Sequence, residues 1–430
     1  MQLDSYRHVH CVGAGGIGIS GVMKFLFAKG VSVSGSDAKQ SIITDGLVEL
    51  GIAVSIGHAA SNIPSNTDLV VYTEAATEEN VERVEAKTRN IPQMGHFDFL
   101  GELSKDYRTI CITGTNGKST TTAMTGKIFI DAGFDPTVFV GSIVSGWKYG
   151  NVAVGGSDIL IIEGDEYKQK MVKLWPETTA ITNIEEDHLD VYRDLDHIVA
   201  TFQELVDKTK GKVFVNREDA NSMKLVGSSI VQFDALVIGE TKLTIPGAFN
   251  RMNASAAAIV AQEYGIDRSV ILRSLEEFSG IWRRFERVGT FNGAQIISDY
   301  GHHPTAVKGT VKGAREFFPS NRIVLLFEPH QHNRTKELFS EFAESFGGAD
   351  VLILSEIYGV LGRTEERDET VSSKTLLDAA MRSVNPPKEG FYAKDLLEAE
   401  AKLREMIQPN DIVIVMGAGD VDGVARNLVR

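Results

Sequence analysis

Short apolar runs recur along the whole chain, and almost none carries a polar interruption. They include HVHCVG, LVVYT, TICITG, DILIIEG, TTAITNI, KVFVN, AQIISDY, RIVLLF, DVLILS and DIVIVMG. A strand that alternates polar and apolar residues needs cover on one face only. An unbroken apolar strand needs cover on both, which is the situation in a parallel sheet flanked by helices. Segments of helical character, such as 122–132 and 253–264, fall between the runs, so the pattern is the βαβ alternation of an α/β fold. At roughly 150 residues per domain, 430 residues make about three such units. A polar stretch at 103–108, ahead of TICITG, and the segment 284–289, after FSGIWRRFERVG, mark the boundaries. The expected units are 1–105, 106–286 and 287–430.

Composition removes several function classes. Lys and Arg total 44 against 58 Asp and Glu, a formal charge of −14. Sequence-independent nucleic-acid binding runs on basic patches that release counterions, and no basic run of five or more occurs. No apolar run approaches the ~18 residues of a membrane span, and the start MQLDSYRHVH lacks a secretory apolar stretch. The expectation is a cytoplasmic protein with no nucleic-acid or membrane partner. Both cysteines, Cys11 and Cys111, sit inside apolar runs with no metal-type spacing, as small buried strand residues do.

Two of the apolar runs end in phosphate-type glycine turns. After HVHCV, the residues Gly13, Gly15 and Gly18 form G-x-G-x-x-G, with Gly16 inside it. Glycines there permit a tight turn and let backbone amides approach a diphosphate at a helix N-terminus. Asp37, in SGSD, ends the next predicted strand, where a dinucleotide fold puts a carboxylate on a ribose. Taken alone, this turn could serve NAD, another nucleotide, or only the packing of a helix on a strand. After TICIT comes Gly114-Thr115-Asn116-Gly117-Lys118-Ser119-Thr120. Its amides suit phosphate oxygens, Lys118 the outer phosphates of ATP, and the Ser119 hydroxyl a Mg²⁺ ion. Two residues separate its glycines instead of the usual four, and position 112 is Ile. A kinase or a dehydrogenase needs one such cradle. Two are explained if one holds ATP and the other holds a substrate that is itself a nucleotide.

Carboxylates for a metal follow at further strand ends. ILIIEGDEY puts Glu163 first out of its strand, with Asp165 and Glu166 next. ITNIEEDHLD places Asp187 and His188 at the end of another. Ligands of open α/β sheets bind outside the carboxyl ends of the strands, and Mg²⁺ takes one or two carboxylates together with phosphate oxygens and water.

Taken together, VGAGGIGISG, SGSD, TGTNGKSTTT, EGDE, TNIEEDHLD, PGAFNRMNASAAA, FSGIWRRFE, DYGHHPTA, EPHQHNRT and VMGAGD span the chain and resemble the Mur ligases. The resemblance implies an α/β protein of three domains. They are a Rossmann-like N-terminal domain for a UDP-sugar, a central phosphate-loop ATPase domain with a mostly parallel sheet, and a Rossmann-like C-terminal domain for an amino acid. It implies ATP-dependent ligation of L-alanine to the lactyl carboxylate of UDP-N-acetylmuramate through an acyl phosphate, a step of peptidoglycan synthesis, with ATP and Mg²⁺ required. Lys118 and Ser119 match the family's ATP-loop residues, and Glu163 and His188 its metal ligands. Asn250, Asn253, Arg284 and Asp299 fall on the nucleotide side. Tyr300, His302 and Arg334 fall on the substrate side, His302 also as a candidate for taking the amine's proton. The resemblance leaves monomer and homodimer undecided.

Several positions depart from the family's pattern. Phe249 stands where a histidine is usual, Ser298 where an aspartate is, and Gln331 where an arginine is. EGDEY and Glu328 look more like the branch that attaches a preformed peptide. The first loop, DYGHHP, and Phe202 in place of a carbamylated lysine favour the alanine-adding branch. The competing readings are an NAD-dependent oxidoreductase, which leaves TGTNGKST unexplained, a non-catalytic nucleotide-binding regulator, and the peptide ligase.

Overall fold

A computed structural model describes residues 6–188, 191–359 and 370–430; the last two residues of the DHLD motif lie outside them. Three sheets organise the chain. The first contains β1 (His8–Val12), β2 (Ser32–Asp37), β3 (Ala53–Ile56), β4 (Leu69–Tyr72) and β5 (Gln93–Gly95), all parallel, in the order β3-β2-β1-β4-β5. Chain order reverses between β1 and β4, so a crevice opens at their carboxyl ends, where doubly wound sheets take ligands.

The second sheet holds β6 (Arg108–Thr113), β7 (Thr137–Phe139), β8 (Val152–Ala153), β9 (Ile159–Glu163), β10 (Thr178–Ile181), β11 (Val213–Asn216) and β12 (Ile230–Phe233). Its order is β12-β11-β10-β6-β9-β7-β8, parallel except for the β7–β8 hairpin. The third holds β13 (Glu286–Phe291), β14 (Ala294–Asp299), β15 (Ile323–Phe327), β16 (Val351–Ser355), β17 (Glu389–Ala393) and β18 (Ile412–Met416), in the order β13-β14-β18-β15-β16-β17. Here β13 pairs antiparallel to β14 and makes the sheet mixed.

The strands read as unbroken apolar runs are the covered ones. β1, β6, β15, β16 and β18 are buried, or nearly so, along their length. The first two sheets form one compact unit, residues up to Lys242 together with Met252–Phe278; the third forms another with Leu243–Arg251 and Ser279–Arg430. One apolar core runs through the first unit from Val9 and Phe25 to Leu160 and Phe202. Phe202, where later family members carry a modified lysine, is fully buried in it. No helix among the described residues is long and apolar enough to cross a membrane.

The first sheet also encloses a polar thread. The fully buried Glu82 carboxylate can only accept, so His10 Nε2–H donates to it (3.1 Å). With both rings neutral, His10 Nδ1 accepts from Ser34 Oγ (2.8 Å), Ser34 Oγ accepts from His8 Nε2 (2.8 Å), and His8 Nδ1 accepts from Ser32 Oγ (2.9 Å). Ser36 Oγ and Asn62 Nδ2 also donate to Glu82, at 2.5 and 2.7 Å. Burial alone would raise the Glu82 pKa, but these donors outweigh it and bring it down to about 2. Buried polar groups are tolerated when every member is paired in this way.

Candidate functional site

The turn after β6 leads into the helix Lys118–Asp131. Gly117 caps it at φ +83, and a Cβ there would lie 2.2 Å from Asn253 Oδ1, so only glycine lets Asn253 pack on the loop. The Asn116 amide donates to Asn183 Oδ1 (2.9 Å) and the Thr115 amide to the Asn183 carbonyl (2.9 Å). Lys118 Nζ donates to the carbonyls of Gly114 (2.8 Å) and Thr115 (3.0 Å) and to Glu166 Oε1 (3.0 Å). Burial works against the lysine's charge, but Glu166, Asp165 and Glu163 outweigh it and raise its pKa.

Ser119 Oγ donates to Glu163 Oε1 (2.8 Å), and Glu163 Oε2 accepts the Gly141 amide (2.5 Å). His188 Nε2 stands 3.6 Å from Glu166 Oε1, and its ring lies 4.8 Å from that of Tyr167. Burial opposes protonation of this imidazole too; the Glu166 bond and Asp187 prevail and raise its pKa. Glu166 is therefore the hub that joins Lys118 to His188, and Tyr192 Oη donates to its backbone carbonyl. The sequence reading named Glu166 only as a neighbour of Glu163. Among the described residues no three His, Cys, Asp or Glu side chains gather to hold a metal. What is built is one strand-end carboxylate beside a serine hydroxyl, a hard-oxygen pair that phosphate oxygens and water would complete around Mg²⁺.

The first glycine turn is arranged differently. The amides of Gly13 and Ala14 donate to the Ser36 carbonyl (2.8 and 2.9 Å), that of Gly16 to the Gly13 carbonyl (3.0 Å), and that of Gly15 to Asp37 Oδ2 (2.8 Å). Asp37, expected to face a ribose, thus fastens the turn as well. The helix Ile17–Ala28 begins with no side-chain cap, so the first-turn amides of Ile17, Gly18 and Ile19 have no intrahelical acceptor. They are the donors left for a diphosphate. A cavity of about 400 Å³ beside the turn is lined by Gly13, Asp37, His58, Thr73, Thr77 and Asn80, among others.

In the second unit, three motifs meet at the carboxyl edge of the third sheet. Asp299 ends β14; its two oxygens accept the amides of Phe285 and Gly301 (2.8 Å each), so it braces the RRFE turn. Burial raises its pKa against the pull of Arg284. The Arg283 and Arg284 guanidiniums each lie 4.9 Å from the Tyr300 ring. Arg283 also donates to the carbonyls of Gly417 (2.5 Å) and Gly419 (2.9 Å), in the glycine turn after β18. Asn250 belongs to this unit, where its Nδ2 donates to the Pro246 carbonyl (2.6 Å).

His302 Nδ1 donates to the Tyr300 carbonyl (3.1 Å), which leaves Nε2 as an acceptor. Burial first, and the Arg334 charge second, lower its pKa to about 3. Arg334 Nη1 lies 3.5 Å from His330 Nδ1, and the His330 ring stacks on Tyr358 at 5.4 Å. Ser298, replacing the usual aspartate, donates to Asp422 Oδ1 (2.5 Å); a carboxylate there would face another. Phe249, in the histidine's place, is 44% exposed.

Backbone strain marks the same places. Lys168, Gln169, His188, Arg283, Phe285 and Gln331 all have φ between +48 and +72. Among the described residues the other non-glycine positions of this kind are Asn90, Asp135, Asn292 and Asn410, the residue types that tolerate the left-handed region in ordinary turns. Bulky residues in that region persist only where the surroundings over-determine them, and they cluster at functional sites.

A lysine-serine phosphate turn facing strand-end carboxylates, beside a second uncapped phosphate-type turn in the same compact unit, defines an α/β nucleotide-binding protein. The chain belongs to the Mur ligase family: residues 8–108 match its catalytic domain, 112–236 its middle domain and 283–419 its glutamate ligase domain. It is accordingly an ATP-dependent ligase that forms an amide bond. A UDP-N-acetylmuramate–L-alanine ligase of Clostridium tetani is 37% identical over 455 residues, 97% of each chain. One of Salinibacter ruber is 36% identical, over 97% of this chain and 94% of its own. The crystal structure of a UDP-N-acetylmuramate–alanine ligase from Thermotoga maritima is similar with a TM-score of 0.84, at 28% identity over 98% of each chain. A murein peptide ligase from Psychrobacter arcticus shares the fold, with a TM-score of 0.69 at 22% identity.

Proposed function

We propose that this protein joins L-alanine to the lactyl carboxylate of UDP-N-acetylmuramate with ATP as phosphoryl donor. The reading is supported most directly by the full-length likeness to alanine ligases, together with the second cradle, where Lys118 and Ser119 meet Glu166 and Glu163. In this reading residues 1–105 hold the UDP-sugar, 106–286 hold ATP and 287–430 hold the amino acid.

A carboxylate does not condense with an amine at neutral pH; it must first be activated. Transfer of the γ-phosphoryl group gives an acyl phosphate and ADP. The amine then attacks the acyl carbon, the C–O bond to phosphate breaks, and the nitrogen gives up a proton. Anions crowd together in the first step, so Lys118 and the loop amides serve as preorganised positive partners. Ser119, Glu163 and His188 are the residues that would hold Mg²⁺, which supplies further charge neutralisation. Arg334 is suited to grip the amino-acid carboxylate, and His302 Nε2 to accept a hydrogen bond beside it.

The test is phosphate release with ATP, Mg²⁺ and UDP-N-acetylmuramate, scanned across alanine, serine, glycine and a short peptide. Preference for alanine is expected. Turnover with the peptide alone would move the chain to the peptide-adding branch, which Glu328 and EGDEY resemble.

A further inference from the structure

The helix Ile17–Ala28, whose first turn is the first cradle, lies against the β7–β8 hairpin of the central sheet. The rings of Phe25 and Phe139 are 5.4 Å apart, and Lys29 Nζ donates to the Gly155 carbonyl (2.9 Å). The centre of this contact is polar. Asn151 is 1% exposed and Lys24 is 8% exposed. Lys24 Nζ donates to Asn151 Oδ1 (2.8 Å). Asn151 Nδ2 donates in turn to the Ile17 carbonyl (2.6 Å) and to Ser20 Oγ (3.1 Å). Gly21 faces the same amide: a Cβ there would come within 3.2 Å of Asn151 Nδ2.

A buried ammonium held by a neutral amide is a poor way to gain stability. Burial pulls the Lys24 pKa down to about 8, and two apolar residues of similar size would pack there without that cost. What the arrangement does gain is direction. Asn151 grips the carbonyl of Ile17, the residue that opens the first cradle. On its other side, the Val140 amide donates to the Asn151 carbonyl (3.0 Å), and the next residue, Gly141, donates its amide to Glu163, the partner of Ser119. Four hydrogen bonds, joined through Asn151, the Val140–Gly141 link and the Glu163 carboxylate, therefore run from Ile17 to Ser119, all inside one compact unit.

We propose that Lys24 and Asn151 are positioning residues: a clamp that holds the two phosphate cradles in register, so that the substrate's carboxylate is presented to the γ-phosphate and the two ligands sense each other's binding. The proposal rests on the two-cradle reading above. Misplacing reactants by about 1 Å can cost about 100-fold in rate, so loss of register should fall on kcat and spare each separate binding event.

The test uses the full chain, UDP-N-acetylmuramate, and a non-hydrolysable ATP analogue with Mg²⁺. Affinity for each ligand is measured alone and with the other saturating. In the unmodified protein each ligand should shift the other's affinity by the same factor, about fivefold or more. Two variants remove the grip on Ile17. Lys24→Met with Asn151→Leu leaves no buried polar group unpaired. Asn151→Asp keeps the oxygen for Lys24 but loses the donors. Either variant, once melting confirms that it folds, should bind each ligand alone within about twofold, abolish the coupling and lower kcat by about 10- to 100-fold. Ser20→Ala, which removes the serine's own bond to the Ile17 carbonyl but spares that of Asn151, should retain the coupling. A folded variant with coupling and kcat intact overturns the clamp, and so does an unmodified protein with no coupling. If the unmodified protein fails to bind UDP-N-acetylmuramate at all, the two-cradle reading itself falls.

Discussion

The two phosphate turns of the first unit look alike in sequence and differ in how they are held. In the first, the early amides go to backbone carbonyls and to Asp37, and the open donors belong to an uncapped helix turn. Nothing charged needs to leave before a diphosphate can arrive. In the second, Lys118 is folded onto its own loop carbonyls and onto Glu166, and Ser119 is bonded to Glu163. Its charged groups must exchange partners when a triphosphate enters. The first turn is a passive seat, whereas the second is held by the side chains that would do the chemistry. Substitutions in the second should therefore act on turnover, and those in the first on affinity.

The largest effect should come from Lys118→Ala. It removes the cation bonded to the second loop's own carbonyls. Phosphate release is expected to fall by at least about 10²–10³-fold, as when one preorganised donor is lost, while the dissociation constant for UDP-N-acetylmuramate stays within about twofold. A comparable loss of both in a folded variant breaks the distinction between seat and engine.

Next is Glu163→Ala, which frees Ser119 and Gly141. The Mg²⁺ concentration for half-maximal rate should rise about 10- to 100-fold, the range for loss of a metal ligand or its neighbour. An unchanged titration would make Glu163 a purely structural carboxylate.

Asp37→Ala tests the seat. The turn loses the acceptor for the Gly15 amide, and a hydrogen bond to a charged group contributes about 1.5–3 kcal/mol. Because water can partly replace it, KM for UDP-N-acetylmuramate should rise only about tenfold. The Mg²⁺ and ATP dependence should not move.

The smallest effect belongs to a third glycine turn, after β18, which calibrates the other two. Glu328 Oε2 accepts the Val421 amide (3.3 Å), and burial raises its pKa to about 7 despite that bond, with Asp420 adding to the rise. A carboxyl whose folded pKa lies above its unfolded value of 4.5 favours the folded state most at low pH. That contribution is complete below pH 4.5 and fades as pH climbs through about 7. Glu328→Gln keeps an acceptor for Val421 but cannot ionise. Its melting temperature should therefore decline less than the parent's between pH 4.5 and pH 8, with equal values at or below pH 4.5. Parallel curves would show that Glu328 does not titrate in that window.

Legibility from sequence followed burial. The covered strands, β1, β6, β15, β16 and β18, announce themselves as apolar runs because they are covered on both faces. The short or partly exposed strands β3, β5, β7, β8, β13 and β17 were not legible; β13 reads ERVGTF and β17 EGFYA, neither with a clear period. The helix after the second turn begins at Lys118, four residues before the expected start, because its opening KSTTT is rich in residues that favour caps. In the candidate site, Lys118, Ser119, Glu163 and His188 stand out from loop and strand-end position alone. Glu166 does not, since it sits three residues past the strand, ahead of the left-handed Lys168 and Gln169. Asp37 was found for its spacing, and its bond to Gly15 has no sequence signal apart from the glycine itself. His302 stands out in sequence as part of the DYGHHP motif, but its burial, which lowers its pKa, has no signal there.

The buried thread from Ser32 through His8, Ser34 and His10 to Glu82 has a practical consequence for watching this protein work. Each imidazole N–H in it is enclosed and bonded at 2.8–3.1 Å, so its proton should exchange slowly with solvent and resonate far downfield in a proton NMR spectrum. The thread's carboxylate also faces His58 at 3.4 Å, and His58 lines the cavity beside the first glycine turn. Seating of a nucleotide there would be felt through Glu82 at His10. The N-terminal sheet thereby carries its own spectroscopic reporter, which needs no label.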